Sequence, residues 1–386
     1  MMLAPLPSET LDAESRAMVA AFVDERIRPL TVELDETERF PRDIYQEMGK
    51  IGLFGTTVPE SLGGLGAGPV DYLYLMESLS YGYASVADQC GLVEIVSSLL
   101  AAFGTPEQQA TYLRPLLAFD KLCAYGLTEA GSGSDLGSIT TRAVPDGDGW
   151  RLSGEKIYIH NAPVADFAVV LAVTDPEKGK RGGISVFIVD LDAAGVTRAY
   201  HEHKMGQRAS QVGGLVFDDV RLGAGALLGE AGRAFGYMMK VLAKGRLGIA
   251  GLSLGISRAA LTAAVRQAKD RRQFGRAIGD NQAVSFPLAT AATEMRAAAA
   301  LCVDAARSLQ EGAPDAETLC SMAKLYASES CVRHTDVAVQ TFGGSGYIRG
   351  YEVERLYRDA RITKIYEGTS EMQRLIISRS LIGRAA

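Results

Sequence analysis

The sequence predicts an α+β multidomain fold: an N-terminal α-helical domain, a central antiparallel β-barrel-like domain and a C-terminal four-helix bundle. Three changes of texture along the chain carry this prediction. The first ~120 residues show apolar residues at helical spacing between Gly-rich breaks, the next ~110 form short β-branched segments, and the remainder is long, Ala-rich and apolar at helical spacing. The predicted domains are therefore residues 1–121, 122–228 and 229–386.

The first domain is predicted to contain helices over residues 71–80 and 85–103, the second of which ends at Gly104. Thr105, Pro106 and Gln108 then form a strong helix start. Thr is a favoured N-cap, Pro fits the first helical position, and Gln at the third position can complete a capping box.

The central domain is predicted from the segments RLSGEKIYIH, FAVVLAV, ISVFIVD and GGLVFDDV. The turn sequences PDGDGW and TDPEKGKRGG lie among them. Because the connections are too short for parallel crossovers, the strands are expected to be antiparallel.

The last domain is predicted to contain three long helices, over 235–272, 282–310 and 316–342, and a final helix over 369–381. Long helices with short joints indicate an antiparallel bundle. Pro287 should either kink the second of them or mark its true start.

Composition excludes several classes of protein. Lys and Arg number 40 against 46 Asp and Glu, and a net charge of −6 argues against a nucleic-acid binder. The five cysteines show no CxxC spacing, which indicates free thiols in a reducing, cytoplasmic compartment. The apolar windows are interpreted as too short for a membrane span, and the N-terminus lacks a secretory pattern. His201 and His203 have no further ligands nearby, so no metal site is expected.

Four motifs carry chemistry, and each also has an ordinary structural explanation. The first motif, LTEAGSGSDLGS at 127–138, either offers exposed backbone N–H groups to a ligand or is a plain turn. The second, RRQFGRAIGDNQ at 271–282, either holds phosphates or forms the basic end of a helix. QTFGGSGY at 340–347 has more glycines than a C-cap needs. IYEGTSEMQR at 365–374 contains Glu367, either a base with a raised pKa between apolar flanks or a first-turn glutamate favoured by the helix dipole.

Two further polar residues stand in apolar surroundings. Asp88 lies within the apolar helix VADQCGLVEIVSS, where it faces either solvent or a pocket. His160 ends the strand segment KIYIH and is either a packed histidine or a functional one.

In this order and spacing the four motifs resemble the acyl-CoA dehydrogenase family of FAD flavoenzymes, in particular its short- and medium-chain members. The resemblance covers almost the whole chain and implies the acyl-CoA dehydrogenase fold. It also implies an enzyme of acyl-CoA metabolism that converts an acyl-CoA thioester to the trans-2-enoyl-CoA. Glu367 matches the catalytic base that removes the α-proton while a hydride passes from Cβ to flavin N5.

Other members of the family carry the base on the long helix, one residue before an Arg. Here that Arg is matched by Arg246, and the preceding residue is Gly245, which favours Glu367. The resemblance implies a substrate-binding set of Ser134, Ala243, Arg246 and Gly368. It implies an FAD-binding set of Tyr125, Leu127, Thr128, Gly133, Ser134, Tyr158, Ile159, His160, Arg271, Gln273, Phe274, Ile278, Asn281, Gln340, Gly343, Gly344, Thr369 and Glu371.

The resemblance further implies an electron-transfer flavoprotein as electron acceptor and a homotetramer, a dimer of dimers, with FAD shared across subunits. The sequence departs from the family at Tyr158, where many members have Trp, and at His160, where a Thr or Ser hydroxyl bonds flavin N5. An enoyl-thioester reductase, or a dehydrogenase that uses an acyl carrier protein, therefore stays open as an alternative. A flavin monooxygenase or nitroalkane oxidase is disfavoured because Glu367 is present.

Overall fold

The computed structural model describes residues 3–383, and its first part is helical. The two helices predicted here are confirmed as α4 and α5, with bounds slightly wider than the sequence indicated. The helices are α1 (Ala13–Phe22), α2 (Thr31–Thr37), α3 (Arg42–Lys50), α4 (Pro69–Gly82), α5 (Ala84–Phe103), α6 (Pro106–Gln108) and α7 (Arg114–Leu117).

The predicted capping box at the start of α6 is present. The Gln108 backbone N–H donates to Thr105 Oγ1 at 3.2 Å, and the Thr105 N–H donates to Gln108 Oε1 at 2.9 Å. The Gln108 amide also donates to the carbonyls of Gly225 and Leu227, so this cap joins the helices to the end of the central domain.

The central part forms a seven-stranded sheet in which β4 pairs with both β1 and β5. Most neighbours are antiparallel, as predicted, but β1 runs parallel to β4, with Cys123 opposite Phe167, and β2 pairs in parallel with β4 at Arg142 and Val173. The purely antiparallel prediction is wrong here because β2 and β3 form a hairpin between β1 and β4 along the chain, which gives the length for a parallel return. The strands are β1 (Cys123–Gly126), β2 (Arg142–Asp146), β3 (Gly149–His160), β4 (Phe167–Val173), β5 (Ile184–Asp190), β6 (Val196–His201) and β7 (Val212–Leu222).

The last part is the predicted helical bundle. Its central helix is α8, which packs against α4 and α5 of the first part as well as against its own neighbours. The bundle contains α8 (Ala234–Asp270), α9 (Gln282–Glu311), α10 (Ala316–Phe342), α11 (Glu352–Arg361) and α12 (Ser370–Ile382). A short hairpin of β8 (Arg272–Gln273) and β9 (Arg276–Ala277) joins α8 to α9. The exact domain boundaries stay a prediction.

Two sequence expectations change in this part of the molecule. Pro287 does not mark the start of α9, which begins at Gln282; it is the sixth residue of the helix and leaves the Ala283 carbonyl without its i→i−4 donor. The expectation that every apolar window is too short to span a membrane is also not met. Helices α5 and α8 are long and apolar enough to span a membrane, but most of their apolar length is buried inside the protein, as in core helices.

Candidate active site

A cavity of about 1020 Å³ lies where the three parts of the chain meet. Its walls come from α4, α5, the loop after β1, the end of β3, the loop after β6, α8 and the segment before α12. It brings together these residues from the predicted set: Tyr125, Leu127, Thr128, Gly133, Ser134, Tyr158, Ile159, His160, Arg246, Glu367, Gly368 and Thr369.

Glu367 lies in the tight turn between α11 and α12, with a left-handed backbone (φ 51°). The turn is held through its carbonyl groups. Lys324 Nζ donates to the Gly368 carbonyl at 2.7 Å, and the Gln373 amide donates to the same oxygen at 2.8 Å. Thr369 then caps α12 by accepting from the Met372 N–H at 3.3 Å. The left-handed conformation is therefore fixed from several sides, as a strained functional position requires.

The carboxyl group of Glu367 is poised as a proton acceptor. Its Oε2 atom is buried and has no hydrogen-bond partner within the chain. Burial raises the pKa of Glu367, although the charges of Arg246 and Lys324 oppose the shift. Gly245 on α8 leaves room for the carboxyl, because a Cβ at this position would press directly on Oε2.

Two cations stand near this carboxyl. Arg246 is 6% exposed, its Nε has no partner, and burial lowers the pKa of its guanidinium. Lys324 is completely buried, and burial lowers the pKa of its ammonium group to about 8, although Glu367 opposes the shift. Both cations favour the ionised carboxyl, which is the form that accepts a proton.

The loop at 127–138 is anchored by a buried ion pair between Lys156 Nζ and Glu129 Oε1 at 2.8 Å. Lys156 also donates to the Leu127 carbonyl at 3.1 Å. Burial alone would raise the pKa of Glu129, but hydrogen bonds from Lys156, Thr140 and Thr141 hold it at about 2. At Gly131 a Cβ would meet nothing within 4 Å, so the anchored loop presents open backbone.

The end of β3 reaches the cavity through a bulge between Lys156 and Ile159, at which Tyr158 takes a left-handed conformation and stays 64% exposed. His160 follows and pairs with Asp88 of α5, with 3.3 Å between Nδ1 and Oδ2. The Ser210 hydroxyl donates to the same carboxylate oxygen at 3.1 Å. Asp88 therefore lines the cavity rather than facing solvent, and the imidazole Nε2 has no partner.

The remaining predicted site residues lie away from the cavity in this single chain. Ala243 is buried on α8, Glu371 is exposed in the first turn of α12, and Gln340, Gly343 and Gly344 are exposed at the end of α10. The others belong to the arm between α8 and α9, in which Phe274 is 99% exposed at the tip of the β8–β9 hairpin. These arm residues are Arg271, Gln273, Phe274, Ile278 and Asn281.

Sequence reasoning missed Lys324, the buried cation beside Glu367. The available signal was a lysine among small or apolar residues at helical spacing on α10, such as Cys320, Ala323 and Ala327. A lysine is almost never fully buried without a partner, so such a position marks a candidate site.

The residues of the cavity fit FAD. His160 Nε2 and Arg246 Nε are buried polar atoms without partners in the described chain, and a Cβ at the cavity-lining Gly133 would meet only Thr128 Cγ2, at 4.0 Å. Buried polar groups are normally bonded, so unpartnered ones on a cavity wall indicate a ligand that bonds them. Tyr125 and Ile159 supply apolar surface on which a flat ring system can pack.

Comparison with known families gives consistent matches across the chain. Residues 12–120 match the acyl-CoA dehydrogenase N-terminal domain, 124–220 the middle domain and 232–382 the C-terminal domain.

Individual proteins align over nearly their whole length. The caffeyl-CoA reductase-Etf complex subunit CarC of Acetobacterium woodii is 43% identical over 91% of this chain and 92% of its own. The 3-(aryl)acrylate reductase of Clostridium sporogenes is 39% identical over 95% and 97%. The structure of butyryl-CoA dehydrogenase from Megasphaera elsdenii superposes with a TM-score of 0.92 at 36% identity, over 97% of this chain and all of that one. The chain belongs to the acyl-CoA dehydrogenase family and is an FAD-dependent oxidoreductase of acyl-CoA thioesters.

Proposed function

We propose that Glu367 is the catalytic base with which this enzyme oxidises an acyl-CoA to its trans-2-enoyl-CoA. The observation that carries the proposal is the Glu367 carboxyl itself. Its Oε2 is buried, unpartnered and on the cavity wall, and burial raises its pKa. A base of this kind can accept a weakly acidic proton because the desolvated carboxylate is a stronger proton acceptor than one in water.

The chain's own residues then have distinct tasks. Glu367 Oε2 takes the α-proton of the thioester, while Arg246 and Lys324 keep the carboxyl ionised before the transfer. The turn held by Lys324 and Gln373 fixes the direction of the carboxyl. The residues of the cavity would hold FAD, which would supply the hydride acceptor for the substrate Cβ.

Reduction of an enoyl-CoA is a second candidate, supported by relatives that are named as reductases. Glu367 would then return its proton to the α-carbon, because the reverse reaction passes through the same transition state. The same site residues serve both directions. His160 pairs with Asp88 at a position where the family pattern has a hydroxyl, and this difference is the feature of the chain that supports reduction as a second candidate.

The proposal extends to partners and location. An electron-transfer flavoprotein is the proposed electron partner, supported by the Etf complex in which one relative is named. The exposed arm with Phe274 supports a homotetramer in which it reaches a neighbouring subunit. The five free cysteines support a reducing, cytoplasmic compartment. An acyl carrier protein thioester is the alternative to acyl-CoA.

The test is anaerobic reduction of the bound flavin by a panel of acyl-CoA and acyl carrier protein thioesters, with the reverse assay of enoyl thioesters on the reduced enzyme. Bleaching by at least one acyl-CoA is expected. If no thioester of either kind reduces the flavin, the proposed dehydrogenation is wrong, and oxidation of reduced enzyme by enoyl-CoA alone would favour the reductase.

A further inference from the structure

One wall of the cavity is built where α4, α5 and α8 meet. We call it the α4–α5–α8 wall; it consists of Tyr72, Met76, Gly91, Leu92, Ile95 and Gly248. These six residues are apolar except for the hydroxyl of Tyr72 on α4, whereas Asp88 of α5 and Arg246 of α8 also line the cavity.

The Tyr72 hydroxyl has no hydrogen-bond partner within the described chain, although the whole residue is buried. Burial, helped by the charge of Glu94, raises the pKa of this phenol well above its ordinary value, so it stays a neutral donor. Leaving a buried hydroxyl unbonded is costly, and tyrosines in such positions usually find a partner. The missing partner is therefore expected to come from a ligand in the cavity.

The position of the hydroxyl relative to the base follows from two glycines on α8. A Cβ at Gly245 would press on Glu367 Oε2, and a Cβ at Gly248 would press on the Tyr72 hydroxyl, with the Tyr72 Cζ at 3.0 Å. Residues three apart on a helix are neighbours about 5–6 Å apart on the same face. The Tyr72 hydroxyl thus lies about one helical turn along the cavity from the Glu367 carboxyl.

A glycine of α5 also lies beside the hydroxyl. A Cβ at Gly91 of α5 would lie 3.7 Å from the Tyr72 hydroxyl and 3.2 Å from Met76 Cε. Gly91 and Gly248 both line the cavity, and neither has a side chain that can bond or cover the hydroxyl. The two glycines make room for the phenol and leave its donor to whatever fills the cavity.

We propose that Tyr72 is a specificity-determining residue that donates a hydrogen bond to an oxygen on the distal part of the acyl group. The preferred substrates are then acyl thioesters that carry such an oxygen, a ring hydroxyl for example, rather than plain hydrocarbon chains. This inference rests on the proposed function, because it takes Glu367 to mark the α-carbon and the α4–α5–α8 wall to surround the distal end. A site built to bond a polar group discriminates against analogues that lack it.

The test compares matched substrates that differ by one oxygen. 3-Phenylpropionyl-CoA is paired with 3-(4-hydroxyphenyl)propionyl-CoA, and hexanoyl-CoA with 6-hydroxyhexanoyl-CoA, in anaerobic flavin reduction by the holoenzyme. The wild type should prefer the oxygenated member of at least one pair by about tenfold in the apparent second-order rate constant, the usual size of one neutral hydrogen bond. Tyr72→Phe, which keeps the ring, should bring that preference close to one, measured as the ratio of the two rate constants within each pair.

Tyr83→Phe is the matched control, because Tyr83 is a buried tyrosine of the same region that does not line the cavity. It should leave the preference unchanged. The inference is overturned if the wild type favours the oxygen-free member of both pairs or shows no preference, or if Tyr72→Phe retains the wild-type preference. An equal loss with every substrate in Tyr72→Phe would also overturn it, since the phenol would then support the site in general. A wild type whose flavin no acyl thioester reduces would instead refute the dehydrogenation itself.

Discussion

His160 shows how a single residue departs from its family while keeping its place in the site. Burial lowers the pKa of its imidazole, although Asp88 opposes the shift and Lys204 adds to it. The imidazole is therefore neutral at neutral pH, with Nδ1 facing Asp88 and Nε2 unpartnered on the cavity side. The imidazole therefore takes up a proton only at a pH below the ordinary histidine pKa of about 6.5.

A consequence can be measured in the flavin. If His160 lies beside the flavin, a proton on the imidazole stabilises the reduced anionic ring, and the reduction potential rises more steeply as the pH falls below about 6.5. His160→Thr should remove this additional slope and keep bound FAD. The measurement is the potential of the bound flavin between pH 5 and 8. Identical slopes and midpoints in both proteins would show that the imidazole is not coupled to the flavin.

At the scale of the element, α8 determines the shape of the site through its glycines. Gly245 faces the Glu367 carboxyl, whereas Gly236, in the first turn of the same helix, would meet nothing within 4 Å if it gained a Cβ. Alanine at position 245 therefore tests displacement of the base, whereas alanine at position 236 tests the effect of the substitution on the helix alone.

Gly245→Ala should slow flavin reduction by an acyl-CoA roughly tenfold or more, because a displaced base of even ~1 Å is costly. FAD content and thermal stability should fall little, since Ala favours a helix. Gly236→Ala is the control and should react at the wild-type rate. Stopped-flow flavin reduction makes the comparison, and equal rates for both variants would mean that Glu367 is not confined by α8.

The elements themselves were largely predictable. Hydrophobic periodicity and Gly104 predicted α4 and α5 to within a few residues, and the Thr105 capping box predicted the start of α6, because these signals are local. Helix α11 (Glu352–Arg361) was not predicted. The parallel pairing of Cys123–Gly126 with β4 was not predictable from connection length, since it depends on a hairpin that lies between the two strands along the chain.

At the scale of the whole molecule, the exposed arm between α8 and α9 suits a contact between subunits. Phe274 and Gly275 both have positive φ and form the tip of the β8–β9 hairpin, a turn in which the right-handed twist of both strands is accommodated. The Phe274 side chain is 99% exposed at this tip and is available for contact with another chain.

Arg271→Ala should weaken FAD retention by roughly tenfold to a hundredfold, because a phosphate would lose a charge-assisted hydrogen bond. It should also shift the protein toward smaller oligomers if the arm crosses subunits. Arg266→Ala is the control, because Arg266 is an exposed arginine on α8, the helix that precedes the arm, and lies outside the predicted site. Light scattering and flavin titration follow both effects, and an unchanged mass together with unchanged FAD affinity would refute the role of the arm.

Contacts between distant parts of the chain mark the limit of what sequence could predict. The approach of Asp88 to His160 joins α5 to the end of β3, and the approach of Lys324 to Glu367 joins α10 to the turn before α12. No local pattern encodes these distances. The motif around Glu367 could be identified because its chemistry is contained in a few consecutive residues.

The central claim, that Glu367 is the base, is tested most directly by anaerobic single-turnover reduction of the flavin in Glu367→Gln. The wild-type rate should rise with pH through the pKa of Glu367, which burial places above its ordinary value, because only the ionised carboxyl accepts the α-proton. Glu367→Gln should bind FAD and acyl-CoA normally but reduce the flavin at least ~10³-fold more slowly at every pH. Reduction at close to the wild-type rate, with the same pH dependence, would contradict the account.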